Sequence, residues 1–102
     1  MNAFKEDTHK LCVQKGWDRV PVQTVWLLLI EEIGELASAI RQYSKIYKKT
    51  GLKKERGTDV KMEMGDVFSY LFQIAFMLDI DLDDMWKIHQ QKVFARNYVS
   101  TY

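Results

Sequence analysis

The longest periodic pattern in the sequence is a series of apolar residues spaced three and four apart between Val25 and Tyr47. This spacing matches one face of an α-helix, and it predicts a long helix over residues 22–47. Pro21, the only proline, is expected in the first turn, where its missing N–H has no helical partner to lose. Because no long run of alternating apolar and polar residues occurs, the chain is predicted to be all-α. The pattern consists of Val25, Leu28, Leu29, Ile33, Leu36, Ala37, Ile40, Tyr43 and Tyr47.

Three more helices are predicted, which gives four in total. They cover residues 2–15, 59–79 and 81–97. The third is expected to begin at a cap formed by Thr58 or Asp59, and the fourth at Asp81, whose carboxylate can accept from the backbone N–H groups of the next turn. The basic stretch Lys45–Arg56 is interpreted as a soluble loop between the second and third helices, and its charge can also attract an anionic ligand.

The length of the chain is that of one domain, so residues 1–102 are expected to form a single domain. Its formal net charge of +1 does not favour a nucleic-acid or membrane-surface binder. The one cysteine, Cys12, excludes an intrachain disulfide and fits a reducing compartment. No apolar segment is long enough to span a bilayer, and the charged start lacks the apolar core of a signal peptide. The predicted location is therefore the cytoplasm, with neither nucleic acid nor a membrane as partner.

The third predicted helix is apolar on almost every side between Val67 and Leu78. A helix that is apolar all round must be buried all round. Four helices from so short a chain cannot supply that much cover. We therefore expect a four-helix bundle that assembles as a homodimer or homotetramer.

Two clusters of acidic residues interrupt the apolar helices. Glu31, Glu32 and Glu35 on the second helix are three and four apart, so they share a face. Glu63 and Asp66 on the third helix are three apart. If these two helices pack antiparallel, the clusters meet near the middle of both. Crowded, partly buried carboxylates repel one another, and a bound cation is the simplest compensation.

The ligand type indicates which cation to expect. Carboxylate oxygens are hard ligands that suit Mg²⁺ or Mn²⁺, whereas zinc and iron sites would use Cys or His. Each cluster also contains a glycine, Gly34 or Gly65, although glycine inside a helix is less favourable than alanine by about 1 kcal/mol. Close approach of another backbone or of a ligand would explain both glycines.

With their flanking apolar residues, segments 28–36 and 63–71 follow the pattern Glu-Glu-x-x-Glu, a spacer, then Glu-x-x-Asp. This pattern resembles the MazG-like superfamily of all-α nucleoside triphosphate pyrophosphohydrolases, and the likeness extends over residues 15–97. The resemblance implies hydrolysis of a standard or non-standard (deoxy)nucleoside triphosphate to the monophosphate and pyrophosphate. It also implies Mg²⁺ as the cofactor, with Mn²⁺ able to substitute.

The resemblance assigns roles to the acidic residues by position. The four that correspond to metal ligands are Glu32, Glu35, Glu63 and Asp66. Glu31 corresponds to a more variable position, which binds a second metal ion or orients the attacking water. All five carboxylates are expected to be catalytic, because metal ions neutralise phosphate charge and activate water.

Substrate contacts also follow from the resemblance. Tyr70 corresponds to a tyrosine that touches the triphosphate. Lys92 and Arg96 correspond to basic residues that hold phosphates. Many relatives have Asn or Asp directly after the lysine, whereas this chain has Val93, so Asn97 is the candidate for that position.

His9 and Trp17 loosely resemble a histidine and a tryptophan that line the base pocket of dCTP-cleaving relatives. Aromatic rings suit stacking on a base. A packed tryptophan and a surface histidine are the structural alternatives.

Two other interpretations remain open. A di-iron carboxylate bundle needs Glu-x-x-His on two helices, and only Glu6 and His9 provide one. A non-enzymatic helical interaction module, or a degenerate family member, would use the oligomeric surface itself, and the departure at Val93 favours it. Release of pyrophosphate distinguishes the enzyme from this module.

Overall fold

The fold is that of a computed structural model, which describes the backbone of residues 1–50 and 53–96 and the side chains of residues 1–44 and 59–96. This part of the chain contains four α-helices, one short 3₁₀ helix and no strand. The prediction of an all-α chain with four helices is confirmed. The elements are α1 (Asn2–Lys15), the 3₁₀ helix η1 (Trp17–Arg19), α2 (Val22–Thr50), α3 (Lys53–Met77) and α4 (Leu82–Ala95).

The turn between α1 and α2 depends on a glycine and a proline. Gly16 ends α1 with φ 72°, in the left-handed region that favours glycine, and its N–H donates to the carbonyls of Cys12 and Val13. After η1, Pro21 immediately precedes α2, and its carbonyl accepts from the backbone N–H of Thr24. η1 therefore follows α1 directly and packs on it, and the chain enters α2 after Pro21.

The connection between α2 and α3 differs from the prediction. Because α2 continues to Thr50 and α3 begins at Lys53, the loop predicted over Lys45–Arg56 is largely helical, and neither Thr58 nor Asp59 starts a helix. Lysine, arginine and glutamate are good helix formers, and a single glycine does not offset them. The side chains of this basic stretch lie outside the described residues, so attraction of an anion by them stays a prediction.

The corner between α3 and α4 is a tight helix C-cap. α3 ends at Met77, two residues earlier than predicted, and Asp79 adopts φ 54°. The Asp79 N–H donates to the carbonyl of Phe76, and the Ile80 N–H donates to that of Ala75. This pair of bonds is a Schellman motif, with aspartate in the left-handed position that glycine usually occupies.

The start of α4 is joined to the start of α1. The Asp81 carboxylate accepts from the backbone N–H of Asp84 at 2.9 Å, which confirms its predicted role as a cap. It also accepts from the Asn2 amide at 2.8 Å, and the Asn2 oxygen accepts from the first backbone N–H of α4. The buried Lys5 ammonium donates to the carbonyl of Ile80 at 2.8 Å. These bonds hold α1 against the α3–α4 corner.

The packing within one copy of the chain is open. α2 and α3 make the most extensive contact, α1 packs on α3, and α4 packs against α1. The radius of gyration is 17.0 Å, compared with about 13 Å for a compact domain of this length. The four helices of a single chain thus do not form a closed bundle. The buried apolar residues are Cys12, Val25, Leu29, Ala75 and Leu82.

Many large apolar side chains are exposed. Leu27 on α2 is 67% exposed, and Phe94 on α4 is 82% exposed. Phe68 and Leu71, on the helix predicted to be buried all round, are nearly half exposed. Assembly into a homo-oligomer stays a prediction, but these surfaces are what it would cover. Within the described ranges, no helix is both long enough and apolar enough to cross a membrane.

Candidate metal centre and adjoining cavities

Antiparallel packing of α2 on α3 brings the two acidic clusters together. Glu32 on α2 lies beside Asp66 at one level of the helix pair. Further along α2, Glu35 lies beside Glu63 on α3. Residue numbers therefore rise along one helix as they fall along the other, which is the condition under which the sequence predicted that the clusters meet. The clusters meet because each has the helical spacing that presents its carboxylates on one face.

Three carboxylates are placed so that they can hold one cation. Glu32, Glu63 and Asp66 can each offer one oxygen atom, and these oxygens lie within 4.8 Å of one another. Ligands on opposite sides of a Mg²⁺ ion are about 4 Å apart, since each Mg–O bond is about 2.1 Å. Glu32 and Glu63 are half-buried, whereas Asp66 is exposed. The group can therefore bind a divalent metal ion from a partly enclosed position.

Two buried oxygen atoms in this group lack partners. Oε2 of Glu32 and Oε2 of Glu63 are buried and have no hydrogen-bond partner among the described residues. Leaving a buried carboxylate oxygen unpaired is unfavourable. Both atoms are hard anionic ligands, so the residues present fit a divalent cation such as Mg²⁺ or Mn²⁺.

The raised pKa values of Glu32 and Glu63 also favour a cation at this position. Burial, followed by the nearby carboxylates of Glu35 and Asp66, raises the pKa of Glu32 to about 7. Burial and the same two carboxylates also raise the pKa of Glu63. A divalent cation at this position would favour the ionised forms and so reverse both shifts.

The other two predicted catalytic carboxylates lie at the edge of the group. The Glu35 carboxyl is within hydrogen-bonding reach of those of Glu32 and Glu63. Glu31 is exposed and lies outside the set of three. Its charge is close enough to contribute to a raised pKa of Tyr70, although burial is the main cause of that shift.

A cavity of about 420 Å³ adjoins the carboxylates on the side of α1 and η1. This volume is in the range of small-molecule sites. Trp17 and Tyr70, both predicted to bind substrate, line this cavity together with Glu32 and Asp66. Its complete lining is Thr8, Leu11, Cys12, Trp17, Val20, Val25, Leu28, Glu32, Asp66, Ser69, Tyr70 and Gln73.

A second, more open cavity of about 330 Å³ lies on the opposite side of the carboxylates. Its lining is more polar, and it includes Glu35, Glu63 and Asp59. The carboxylates therefore separate a largely apolar cavity from a polar one that lies toward the basic end of α2.

Three predicted substrate residues, His9, Lys92 and Arg96, are not brought to the carboxylates within the described chain. The His9 ring stacks on Phe76, with centroids 3.4 Å apart, and it lines neither cavity. Lys92 and Arg96 are exposed near the end of α4, which packs against α1 and not beside the acidic clusters. Asn97 lies outside the described residues.

Sequence reasoning missed several residues of the larger cavity. Ser69 and Gln73 follow Asp66 at spacings of three and seven, and that helical spacing could have identified them. Thr8 and Cys12 come from α1 and had no comparable signal. Their position depends on how α1 packs against α3.

The glycines of the two clusters are less crowded than expected. A Cβ atom placed on Gly34 or on Gly65 meets no atom of the described chain within 4 Å. No other described backbone segment of this chain therefore provides the close approach that was expected at these glycines. A ligand or a second copy of the chain is left as the explanation.

The fold and the paired carboxylates define an all-α protein with an acidic centre, able to hold a divalent metal ion, next to a cavity of small-molecule size. A family model, the MazG nucleotide pyrophosphohydrolase domain, matches residues 21–98. This match covers most of the chain, and the chain belongs to that family. The predicted resemblance is confirmed.

One curated relative is the uncharacterized protein YvdC of Bacillus subtilis (strain 168). It is 36% identical over 87 residues, an alignment that covers 81% of this chain and 82% of YvdC. No solved structure gives a significant match. Since the family match begins at residue 21, α1 and η1 lie outside it.

Proposed function

We propose that this protein is a Mg²⁺-dependent pyrophosphohydrolase that cleaves a standard or non-standard (deoxy)nucleoside triphosphate between the α and β phosphates. The products are the nucleoside monophosphate and pyrophosphate. One observation carries the proposal: the unpartnered buried oxygens of Glu32 and Glu63 converge with Asp66 beside a cavity large enough for a nucleoside. Family membership supports the same reaction class.

In this proposal the metal ligands are Glu32, Glu35, Glu63 and Asp66, and Mn²⁺ can replace Mg²⁺. When bound, the ion neutralises phosphate charge and lowers the pKa of a coordinated water. Glu31 is exposed next to the ligands, where its carboxylate can orient the attacking water and accept its proton.

The larger cavity is proposed to take the nucleoside and the polar one the outer phosphates. Trp17 offers an aromatic face for a base, and Tyr70 lies between the base end of the cavity and the carboxylates. The stacking of His9 on Phe76 supports an indirect role, in which His9 holds α1 against α3.

Assembly as a homodimer or homotetramer belongs to the proposal. The exposed apolar side chains of α2, α3 and α4 support it. In an assembly Lys92, Arg96 and Asn97 can reach the phosphates from a neighbouring copy, since α4 does not pack beside the acidic clusters in its own chain. The proposal also includes a single domain over residues 1–102. It includes a cytoplasmic location, because nucleotides are present there and its reducing conditions keep a free thiol such as that of Cys12 reduced.

The test is pyrophosphate release from a panel of standard and modified NTPs and dNTPs, with Mg²⁺ and with EDTA. We expect metal-dependent release of pyrophosphate and not of phosphate. Folded, metal-loaded protein that releases no pyrophosphate from any member of the panel would contradict the proposal.

A non-enzymatic interaction module is the second candidate, and the exposure of Leu27 and Phe94 favours it. Such a module has no need for the carboxylates. Replacing Glu32 and Glu63 together by glutamine should then leave its assembly and any partner binding unchanged.

A further inference from the structure

The buried amide of Gln73 is a polar group that neither the metal centre nor the proposed hydrolysis uses. Gln73 lies on α3, is only 7% exposed and lines the larger cavity. Its Nε2 donates to the backbone carbonyl of Trp17 at 3.1 Å. A side chain of α3 thus joins the wall of the cavity that η1 forms.

This hydrogen bond determines which way the amide faces. A backbone carbonyl only accepts, so the amide atom bonded to it must be the NH₂ nitrogen. The amide oxygen of Gln73 is therefore held on the other side of the group, as an acceptor. Much of the surrounding wall is apolar, including Leu11, Val25 and Leu28. Besides the carboxylates, the polar side chains of the lining are Thr8, Ser69, Tyr70 and Gln73, and Gln73 is the one that a bond to η1 orients. A ligand gains by pairing with an acceptor that is fixed in this way.

Gln73 also lies at a suitable distance from the carboxylates. It follows Asp66 by seven residues on the same face of α3, about 10 Å along the helix axis. Tyr70 lies between them on that face. A ligand with its phosphates at the carboxylates must extend by about the length of a nucleoside to reach Gln73.

We propose that Gln73 is the specificity-determining residue of this cavity, where its amide oxygen accepts a hydrogen bond from the 4-amino group of cytosine or the 6-amino group of adenine. The substrate class is then nucleotides of cytosine or adenine. Uracil, thymine and hypoxanthine present a carbonyl oxygen at the matching position, which would place two acceptors against each other. This inference rests on the proposed function only in that a nucleotide occupies the cavity.

The hydrogen bond joins the region that the family model matches to the segment before it. The matched family region begins at residue 21, so the Trp17 carbonyl that orients Gln73 comes from the segment outside it. Specificity in this cavity therefore depends on a joint between the matched domain and η1.

The test compares nucleotide pairs that differ only by amino against oxo: CMP with UMP and AMP with IMP for binding, and dCTP with dUTP and dATP with dITP for turnover. Binding is measured by calorimetry on the full chain with Mg²⁺ present. We expect the amino member of each pair to be favoured by about tenfold or more, the value of one well-placed hydrogen bond against a mismatch.

Three variants separate base reading from a merely structural role. Gln73→Met keeps the length of the side chain and removes the acceptor. It should reduce the preference for the amino over the oxo nucleotide to about twofold or less. Gln73→Leu also removes the acceptor and should reduce the ratio in the same way, so it serves if Gln73→Met fails to fold. Gln23→Met is the matched control, because Gln23 is exposed and lines neither cavity.

The outcomes of the two measurements are distinguishable. Turnover without amino preference, or a preference that survives in folded Gln73→Met, would overturn the assignment and leave the hydrolase proposal standing. Amino-selective binding of monophosphates that depends on Gln73, without turnover of any triphosphate, would support the assignment and refute the hydrolase. Failure of the folded wild-type chain to bind any of these nucleotides would overturn both.

Discussion

At the scale of single residues, Glu32 and Glu63 are placed unfavourably for two carboxylates, because they are partly buried and close to other acidic groups. Each has a buried oxygen without a partner, and the charged groups that act on Glu32 are other carboxylates. The free protein is therefore expected to be strained electrostatically whenever both are ionised. A divalent cation relieves that strain, so metal binding and stability should be linked.

The pH dependence of stability follows from this linkage. The folded-state pKa of Glu32, about 7, lies above its ordinary value of 4.5. The folded state thus holds this proton more tightly, and the associated stability is fully present below pH 4.5 and is lost as the pH rises through about 7. In EDTA, we expect the contribution of Glu32 to lower the Tm progressively between these values.

Thermal unfolding followed by circular dichroism, with and without Mg²⁺ or Mn²⁺, measures this effect. The cation should reduce the fall in Tm with rising pH. In EDTA, Glu32→Gln should show little of that fall. A wild-type profile that matches the Glu32→Gln profile at every pH in EDTA would contradict the expectation.

Activity provides a second prediction at this scale. Glu63→Gln should lower turnover by at least about 100-fold, because it removes an anionic ligand while preserving size. Its circular dichroism spectrum should remain native, and its free energy of unfolding in EDTA should not fall, since a repelling charge is removed. Glu6→Gln, on the exposed face of α1, is the matched control. Full activity in folded Glu63→Gln would mean that the metal site has been assigned wrongly.

At the scale of the elements, the α3–α4 corner positions α1 and therefore one wall of the larger cavity. Asp79 holds this corner in a left-handed conformation, φ 54°, that suits glycine better. Asn2 and Lys5 then attach α1 to the residues that follow. The backbone conformation of this corner thus determines where α1 lies, and the position of α1 determines the shape of the cavity.

Asp79→Gly tests whether this corner is strained. The variant should raise the free energy of unfolding by about 1 kcal/mol, because glycine adopts the left-handed region without steric penalty. Urea denaturation measures the change, with exposed Asp83→Gly as a control that should destabilise α4. A loss of stability in Asp79→Gly would show that the aspartate side chain, and not the backbone conformation, holds the corner.

At the scale of the whole molecule, the open arrangement of the helices leaves a large apolar surface uncovered. Only five apolar side chains are buried among the described residues, whereas those of Leu27, Phe68 and Phe94 are about half exposed or more. Surfaces of this kind usually mark interaction sites. A second copy of the chain can cover them and complete the bundle that α2 and α3 begin.

Light scattering at micromolar concentration should therefore report a dimer or a tetramer. Leu27→Glu should shift the population toward the monomer, since it places a charge on the most exposed large apolar side chain in the described part of α2. Gln14→Glu, on the exposed face of α1, should leave the assembly unchanged. A monomeric wild-type chain would refute the prediction.

The sequence was sufficient for features that depend on spacing along one helix. The apolar period in α2, the cap at Asp81 and the shared faces of the acidic residues are local, and each is present as predicted. The sequence indicated that the two clusters meet if α2 and α3 pack antiparallel, and the structure meets that condition. The predicted loop over Lys45–Arg56 was wrong, because most of this basic stretch belongs to the end of α2 and the start of α3, where helix propensity outweighs charge and glycine.

The tertiary structure alone decided features that depend on contacts between distant segments. The volume of the larger cavity, the bond from Gln73 to Trp17 and the separation of Lys92 from the carboxylates come from how α1 and α4 pack. No spacing rule reaches across the 56 residues between Trp17 and Gln73. Periodicity determines which face a residue occupies, but only packing determines what that face meets.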